Sequence, residues 1–190
     1  MIIKKVFIAS PLFNEKERQF NEEIDLVLKH AGYETFLAQK DGFLYKDIVE
    51  EMKKQGIINP EITALKLIYR LDLYQACEGC DATVLNMNGR VPDEGALIEA
   101  ALSFRSEKPL VIYKDDSRSL IDGKDNPLII GLTELEVVDK LEDIPKKLRE
   151  LEHSKKFSYS MMIANARNLF KDYNPKTKDL KKLVEIFNAL

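Results

Sequence analysis

A chain of 190 residues fits one domain with a small annex, since domains commonly contain about 100–200 residues. Its composition, 45% hydrophobic and 32% charged, is typical of a globular protein and argues against disorder. The 29 Lys and Arg residues are balanced by 32 Asp and Glu residues, giving a net charge of −3. Because neither sign forms a block, the sequence predicts no nucleic-acid groove.

The N-terminus enters a strand pattern directly and has no signal-peptide core. No apolar stretch approaches the ~20 residues that a membrane-spanning helix needs. These two observations predict a cytoplasmic protein with no membrane partner.

Five short apolar segments predict strands, because each is rich in β-branched or aromatic residues and is bounded by turn residues. They are residues 6–10 (VFIAS), 34–38 (ETFLA), 82–87 (ATVLNM), 110–113 (LVIY) and 135–138 (LEVV).

Helical patterns fill most of the chain between these strands. Asn14 predicts an N-cap with Glu17 three residues later, and apolar residues then recur at helical spacing until Gly32. Further helices are predicted over residues 46–55, 60 to about 79, and 95–105. Residues 39–45 are predicted to be a loop, because Asp41-Gly42 is a turn signal.

Short strands that alternate with helices are typical of a parallel sheet covered on both faces. We therefore predict an α/β fold: a flavodoxin-like, doubly wound parallel sheet of about five strands with helices on both faces. After Ile144 only helical patterns remain, near residues 158–171 and 175–189. Residues 1–150 are thus predicted to form the α/β domain, and residues 151–190 a C-terminal helical extension.

Cys77 and Cys80 form a C-x-x-C pair, which is compatible with a redox pair or half of a zinc site. A redox pair is expected at the start of a helix, whereas these residues follow a helical pattern. No second pair of metal ligands accompanies them. The sequence therefore favours ordinary structural cysteines and predicts no metal.

Ligands of open parallel sheets bind beyond the carboxyl ends of the strands. No G-x-G-x-x-G, P-loop or G-x-S-x-G motif occurs there, so carboxylates are the best chemical candidates. Glu99 interrupts an apolar helix about one turn after its start. However, Glu99, Ser103 and Glu107 also share i, i+4 spacing, and from spacing alone a solvated helix face is the favoured interpretation.

Three features together resemble the nucleoside 2-deoxyribosyltransferases and the related nucleotide N-glycoside hydrolases, from residue 5 to about residue 148. They are IASPLF at residues 8–13, Asp72 nine residues before Asp81, and PDEGALIE at residues 92–99 followed by KPLVIY.

The resemblance implies catalytic roles for two carboxylates. Glu99 matches the family nucleophile, which attacks the anomeric carbon and holds the sugar as an ester. Asp72 matches an acid near the leaving base, where a raised pKa would let it donate a proton. Asp93 matches the residue that binds the 5′-hydroxyl side of the sugar, and its charge should repel a 5′-phosphate.

The resemblance also implies further contacts. Gly95 and Ser10 are expected to contact substrate. Gln39 and Asp41 are expected to lie in the loop that contacts the base. Asn126 is expected to reach the site of a neighbouring subunit in a homo-oligomer. Two departures are notable. Phe7 stands where the transferases have a Tyr whose hydroxyl touches the nucleophile, and Ala96-Leu97 replaces Gly-Thr.

The sequence therefore predicts a nucleoside 2-deoxyribosyltransferase that moves deoxyribose between nucleobases without a cofactor. Two alternatives stay open. One is a nucleoside or nucleotide hydrolase of the same fold with water as acceptor, and the other is a non-catalytic nucleoside- or nucleotide-binding module. In each case the partners are small nucleosides and bases, not a nucleic-acid polymer.

Overall fold

A four-stranded parallel sheet forms the centre of the protein. The computed structural model describes residues 2–89, 91–116, 124–153, 158–171 and 180–188. The strands are β1 (Lys5–Ala9), β2 (Glu34–Leu37), β3 (Ala82–Asn86) and β4 (Leu110–Tyr113).

The strand order is β2-β1-β3-β4, and every neighbouring pair is parallel. Val6 of β1 is in register with Thr35 of β2 on one side and with Ala82 of β3 on the other. The chain thus leaves β1 in one direction to form β2 and returns to build β3 and β4 on the opposite side. Such a reversal opens a crevice beyond the carboxyl ends of β1 and β3.

The α/β class and the parallel sheet are confirmed, but the prediction of five strands was wrong. Residues 135–138 contribute only an isolated bridge from Val138 to Tyr113 at the edge of β4. Glu134 and Leu135 have φ angles of 50° and 70°, in the left-handed region. This backbone cannot enter an extended strand directly, so pairing is limited to the end of the segment.

Helices cover both faces of the sheet. They are α1 (Glu15–His30), α2 (Ala38–Asp41), α3 (Tyr45–Lys54), α4 (Pro60–Tyr74), α5 (Glu94–Arg105), α6 (Pro127–Ile130), α7 (Asp143–His153), α8 (Tyr159–Phe170) and α9 (Leu180–Phe187). A π-helical turn, Gln75–Gly79, continues α4, and a 3₁₀ turn, Gly131–Thr133, follows α6.

The start of α1 confirms the predicted capping box. The Asn14 side chain accepts a hydrogen bond from the Glu17 N–H at 3.0 Å, and the Glu17 carboxylate accepts one from the Asn14 N–H at 3.2 Å. The prediction of a loop from residue 39 was wrong, because Ala38–Asp41 forms one helical turn. There the Asp41 carboxylate accepts a hydrogen bond from the Leu37 N–H at 2.8 Å, which stabilises the turn.

Alternate residues of the strands build two separate cores, as a sheet covered on both faces requires. On one face, Val6, Ile8 and Val84 pack with residues of α1 and α7, including Ile24 and Leu148. On the other face, the core consists of strand residues, the π-helical turn, α5 and α6, and includes Phe7, Ala9, Leu85, Ile112, Ala76, Ala96, Ala100, Phe104 and Ile130.

The C-terminal helix α8 packs against the end of α5. The Tyr159 ring meets the Phe104 ring edge-on, with centroids 6.0 Å apart, and the Arg105 guanidinium lies 4.4 Å from the Tyr159 centroid. The Glu107 carboxylate accepts hydrogen bonds from the backbone and the hydroxyl of Ser160. The predicted start of the last helix, at residue 175, lies outside the described residues.

No helix in the described parts of the chain is both long and apolar enough to cross a lipid bilayer.

Candidate active site

Helix α5 begins at the carboxyl edge of the sheet, after the loop that follows β3. Asp93 is its N-cap, and the Asp93 carboxylate accepts a hydrogen bond from the Ala96 N–H at 2.7 Å. An acceptor at this position satisfies one of the free N–H groups of the first turn. The first turn of α5 therefore faces the crevice with a carboxylate at its tip.

Glu99 lies one turn further along α5, on the side that packs towards the sheet. Ala96 and Ser103, its neighbours at helical spacing, are buried, and so is Ala100, the next residue of the helix. Glu99 itself is largely buried, and Ser103 accepts a hydrogen bond from the Thr83 hydroxyl at 2.8 Å. The solvated-face interpretation of Glu99 and Ser103 was therefore wrong, and only Glu107 is exposed.

Asp72 belongs to the last turn of α4, shortly before the π-helical turn Gln75–Gly79. Both α4 and this π-helical turn contact α5, so Asp72 is brought beside the helix of Glu99. The Asp72 side chain is partly buried, and this burial raises its pKa. Wide turns of this kind are frequent at functional sites, where they change the direction of nearby side chains.

The three carboxylates interact electrostatically. Burial, and to a smaller extent the negative charges of Asp72 and Asp93, raise the pKa of Glu99 to about 8. A carboxyl group pushed this far from its usual range holds a proton at neutral pH. Strongly shifted acids in a crevice are a common mark of catalytic sites. The structure therefore brings Asp72, Asp93 and Glu99 together as one cluster.

Three other site residues of the sequence analysis lie in the core, at the carboxyl end of β1 and in the first turn of α5. Phe7 is fully buried, its ring 5.7 Å from that of Phe36, in the same core as Ala96 and Ala100 of α5. Ser10 is partly buried at the end of β1. A Cβ atom at Gly95 would lie 3.1 Å from the Asp93 carboxylate, so the glycine leaves room for that carboxylate.

Gln39 and Asp41, the residues expected to contact the base, form hydrogen bonds within the protein. Gln39 accepts a hydrogen bond from the Asn21 amide at 3.1 Å and donates one to the Arg18 carbonyl at 2.9 Å. Both it and Asp41 follow β2, at the same edge of the sheet as Asp93.

Asn126 is exposed and caps α6 by accepting a hydrogen bond from the Leu128 N–H at 3.0 Å. A contribution of Asn126 to a second subunit's site stays a prediction.

The sequence analysis missed two buried amides at this edge. Asn21 and Asn86 are 0% and 2% exposed, respectively. Asn21 could have been found from its spacing, since it stands three residues before Ile24 on the apolar face of α1. A polar residue in a core position requires a hydrogen-bond partner, and such residues often organise a site.

Cys80 is not suited to nucleophilic chemistry. Cys80 is buried, and this burial raises the pKa of its thiol to about 11, so the thiolate is scarce at neutral pH. Cys77 and Cys80 are both free thiols. Among the residues that the structure describes, no group of three acidic, histidine or cysteine side chains is placed to hold a metal ion.

Comparison with known proteins gives one family match and several similar folds. The family model described as nucleoside 2-deoxyribosyltransferase matches residues 6–178. No curated protein matches the chain significantly.

Three solved structures are similar to the chain at low sequence identity. A conserved protein from Enterococcus faecalis V583 is 19% identical, with a TM-score of 0.57 over 79% of this chain and 99% of its own. A 2-deoxyribosyltransferase from Bacillus psychrosaccharolyticus is 16% identical, with a TM-score of 0.50 over 83% and 94%. A CMP N-glycosidase from Clostridium botulinum is 18% identical, with a TM-score of 0.47 over 77% and 99%.

Proposed function

The chain belongs to the nucleoside 2-deoxyribosyltransferase family, and we propose that it cleaves the N-glycosidic bond of 2′-deoxynucleosides and transfers the sugar to another nucleobase. The observation that carries this proposal is the largely buried Glu99 carboxyl, whose pKa is raised to about 8 beside Asp72 and Asp93. Cleavage of a glycosidic bond requires a nucleophile and a proton source, and such a cluster supplies both.

In the first step, the cluster of the free protein holds the proton on Glu99. Transfer of this proton to Asp72 leaves Glu99 ionised as the nucleophile and Asp72 protonated as the acid. A Glu99 oxygen then forms a bond to the anomeric carbon while the bond from that carbon to the base nitrogen breaks. The departing nitrogen takes the proton of Asp72, so the base leaves neutral and the sugar remains as an ester of Glu99.

In the second step, the nitrogen of a different base forms a bond to the anomeric carbon and loses its proton to Asp72, while the bond from that carbon to the Glu99 oxygen breaks and Glu99 leaves as a carboxylate. This restores a cluster with one proton. No cofactor enters either step, because the carboxylates supply the nucleophile and accept and donate the proton.

A hydrolase is the second candidate, and Phe7 favours it. Where the resemblance places a tyrosine hydroxyl against the nucleophile, this chain has a fully buried phenyl ring. Glu99 therefore lacks one hydrogen-bond donor from β1, which alters the environment of the ester. Water would then replace the second base as acceptor and release free sugar.

One incubation tests the proposal. The protein is mixed with a 2′-deoxynucleoside and a different free base, and the products are separated by chromatography. Transfer yields the swapped nucleoside, whereas hydrolysis yields free base and sugar without exchange. An intact donor after prolonged incubation, with binding detected by calorimetry, would contradict both and support a non-catalytic binding module.

The charge of Asp93 is expected to decide between nucleosides and nucleoside 5′-monophosphates. We expect Asp93→Asn to keep the α5 cap, because asparagine caps a helix as well as aspartate, and to remove one negative charge from the crevice. Cleavage of a 5′-monophosphate should rise at least about tenfold relative to the nucleoside, since like charges in a crevice cost about 1–2 kcal/mol or more.

The measurement is the ratio of kcat/KM for the two substrates, and Glu94→Gln is the matched control. Glu94 is an exposed acid one residue further along the same turn, so its replacement removes one negative charge, as Asp93→Asn does. An equal change of the ratio in both variants would show that only net charge matters and that Asp93 has no local role.

We also propose that the protein is a cytoplasmic homo-oligomer in which Asn126 reaches a neighbouring site. Leu128, next to it on α6, is 83% exposed, which suits a contact surface more than a solvent-facing turn.

A further inference from the structure

A series of hydrogen-bonded side-chain amides crosses the carboxyl edge of the sheet. The Asn21 amide nitrogen donates to the Pro11 carbonyl at 2.7 Å and to the Gln39 side-chain oxygen at 3.1 Å. The Asn21 oxygen accepts a hydrogen bond from the Asn86 amide at 3.3 Å. Asn21 therefore contacts the segments that follow β1 and β2 and the last residue of β3.

This series of hydrogen bonds continues into the loop that leads to α5. The Asn86 oxygen accepts a hydrogen bond from the Asn88 backbone N–H at 3.1 Å. Asn88 in turn pairs reciprocally with Asp115, donating to its carboxylate at 2.6 Å and accepting from its N–H at 3.0 Å. The loop after β4 is thus tied to the loop after β3, and through Asn86 and Asn21 to the other two.

The donors and acceptors of these hydrogen-bonded side chains can be arranged in one way only. The Pro11 carbonyl can only accept, so the Asn21 nitrogen must face it and the Asn21 oxygen must face Asn86. The Asn88 N–H can only donate, which fixes the Asn86 oxygen towards it. The Arg18 carbonyl likewise fixes the Gln39 nitrogen, leaving the Gln39 oxygen for Asn21. Each amide orientation is set by a backbone group at one end and agrees with its neighbour.

We propose that Asn21 is a positioning residue for the site described above. Its hydrogen bonds fix the positions of the segments after β1, β2 and β3 relative to one another. They also fix the orientation in which the partly exposed Gln39 carboxamide contacts a bound ligand. This inference rests on the proposed function, since its kinetic readout is nucleoside cleavage. Asn21 does not itself touch the reacting atoms.

The test compares Asn21→Asp with Thr83→Val. An ionised aspartate has the shape of asparagine but cannot donate, so it opposes two acceptors, the Pro11 carbonyl and the Gln39 oxygen. The Thr83 hydroxyl also makes a buried hydrogen bond, to Ser103, but near the opposite end of β3. Thr83→Val therefore removes a comparable buried hydrogen bond that involves neither Asn21 nor any of its partners. Asn21→Leu, which removes the donor and the acceptor together, serves as a second variant if Asn21→Asp does not fold.

The measurements are KM and kcat for two donors with different bases, with thermal midpoints to match stability. For either Asn21 variant we expect KM to rise about tenfold, with a smaller change in kcat and a changed preference between the bases. Thr83→Val should lower the thermal midpoint while leaving KM unchanged. Asn21 variants with the KM and base preference of Thr83→Val would overturn the proposal.

Amide hydrogen exchange separates this proposal from the proposed function. In the wild-type protein the Asn88 N–H is expected to exchange slowly, because it is held by Asn86, and in the Asn21 variants it should exchange at least about tenfold faster. Slow exchange in the wild type that Asn21 replacement accelerates would support the positioning role even if no nucleoside were cleaved. Rapid exchange of this amide in the wild type would refute it.

Discussion

Replacement of Glu99 by glutamine is expected to reduce nucleoside cleavage by a factor on the order of 10⁴, because glutamine keeps the shape of the side chain but cannot form the ester. The largely buried position of Glu99 between Ala96, Ala100 and Ser103 should accept this neutral side chain without rearrangement. Substrate binding should persist, since the amide retains an oxygen that faces the crevice.

The measurement is single-turnover cleavage together with calorimetric binding of the nucleoside. Glu94→Gln is the matched control, because Glu94 lies on the same helix in the exposed first turn and should retain wild-type rates. Cleavage by Glu99→Gln within about tenfold of the wild type would remove Glu99 from the mechanism. Trapping the sugar ester by rapid quench and mass spectrometry in the wild type would locate the covalent step directly.

The second large effect concerns pH. The reactive cluster must carry one proton in total, and the pKa of Glu99, about 8, is where that proton is lost. We therefore expect kcat/KM to fall about tenfold for each pH unit above 8. Because Asp72 and Glu99 are coupled, the observed value belongs to the cluster and not to one residue.

Asp93→Asn provides the internal check on this assignment. The negative charge of Asp93 is one cause of the raised Glu99 pKa, so its removal should move the high-pH limb to lower pH. Glu94→Gln should leave the limb unchanged. A limb that does not move in Asp93→Asn, or that persists in an otherwise active variant lacking Glu99, would assign the titration to another group.

The same pKa makes the folding free energy depend on pH. The pKa of the Glu99 carboxyl is about 4.5 in the unfolded chain and is raised to about 8 in the folded protein. Between these values the unfolded chain binds fewer protons, so its free energy falls relative to the folded state and the protein loses stability as pH rises. Glu99→Gln lacks this loss, and its free energy of unfolding should exceed that of the wild type by roughly 2–4 kcal/mol above pH 8. Denaturant unfolding at pH 5 and pH 9 measures the difference, which should be small at pH 5.

Much of the fold could be predicted from sequence because its signals are local. The capping pair Asn14 and Glu17 and the strand Leu110–Tyr113 were found from spacing and residue type alone. The fifth strand could not be excluded in this way, since its failure depends on the left-handed backbone at Glu134 and Leu135. The Asp41 carboxylate accepts a hydrogen bond from the N–H of Leu37, four positions earlier, and this bond stabilises a helical turn where a loop was predicted.

The candidate site could likewise be predicted only in part, because some of its features depend on tertiary packing. The spacing of Glu99, Ser103 and Glu107 gave the wrong interpretation, because burial depends on which elements pack on α5, and that is a tertiary property. The resemblance pointed instead to Asp72, Asp93 and Glu99, and the structure brings these three into electrostatic contact. The burial of Asn21 could have been inferred from its spacing to Ile24, but its hydrogen bond with Asn86 could not, because the two residues lie on different elements.

The contact of α8 with the end of α5 bears on how the protein should be shortened for study. The helix of Glu99 is held at its first turn by Asp93 and at its last by the Tyr159 ring and the Glu107–Ser160 pair. A truncation at residue 150, which the change from mixed to purely helical sequence invites, would uncover the Phe104 ring and release one end of that helix. Expression of the α/β part alone would then yield a protein in which the helix of Glu99 is held at one end only, and any activity measured on it would not represent the full chain.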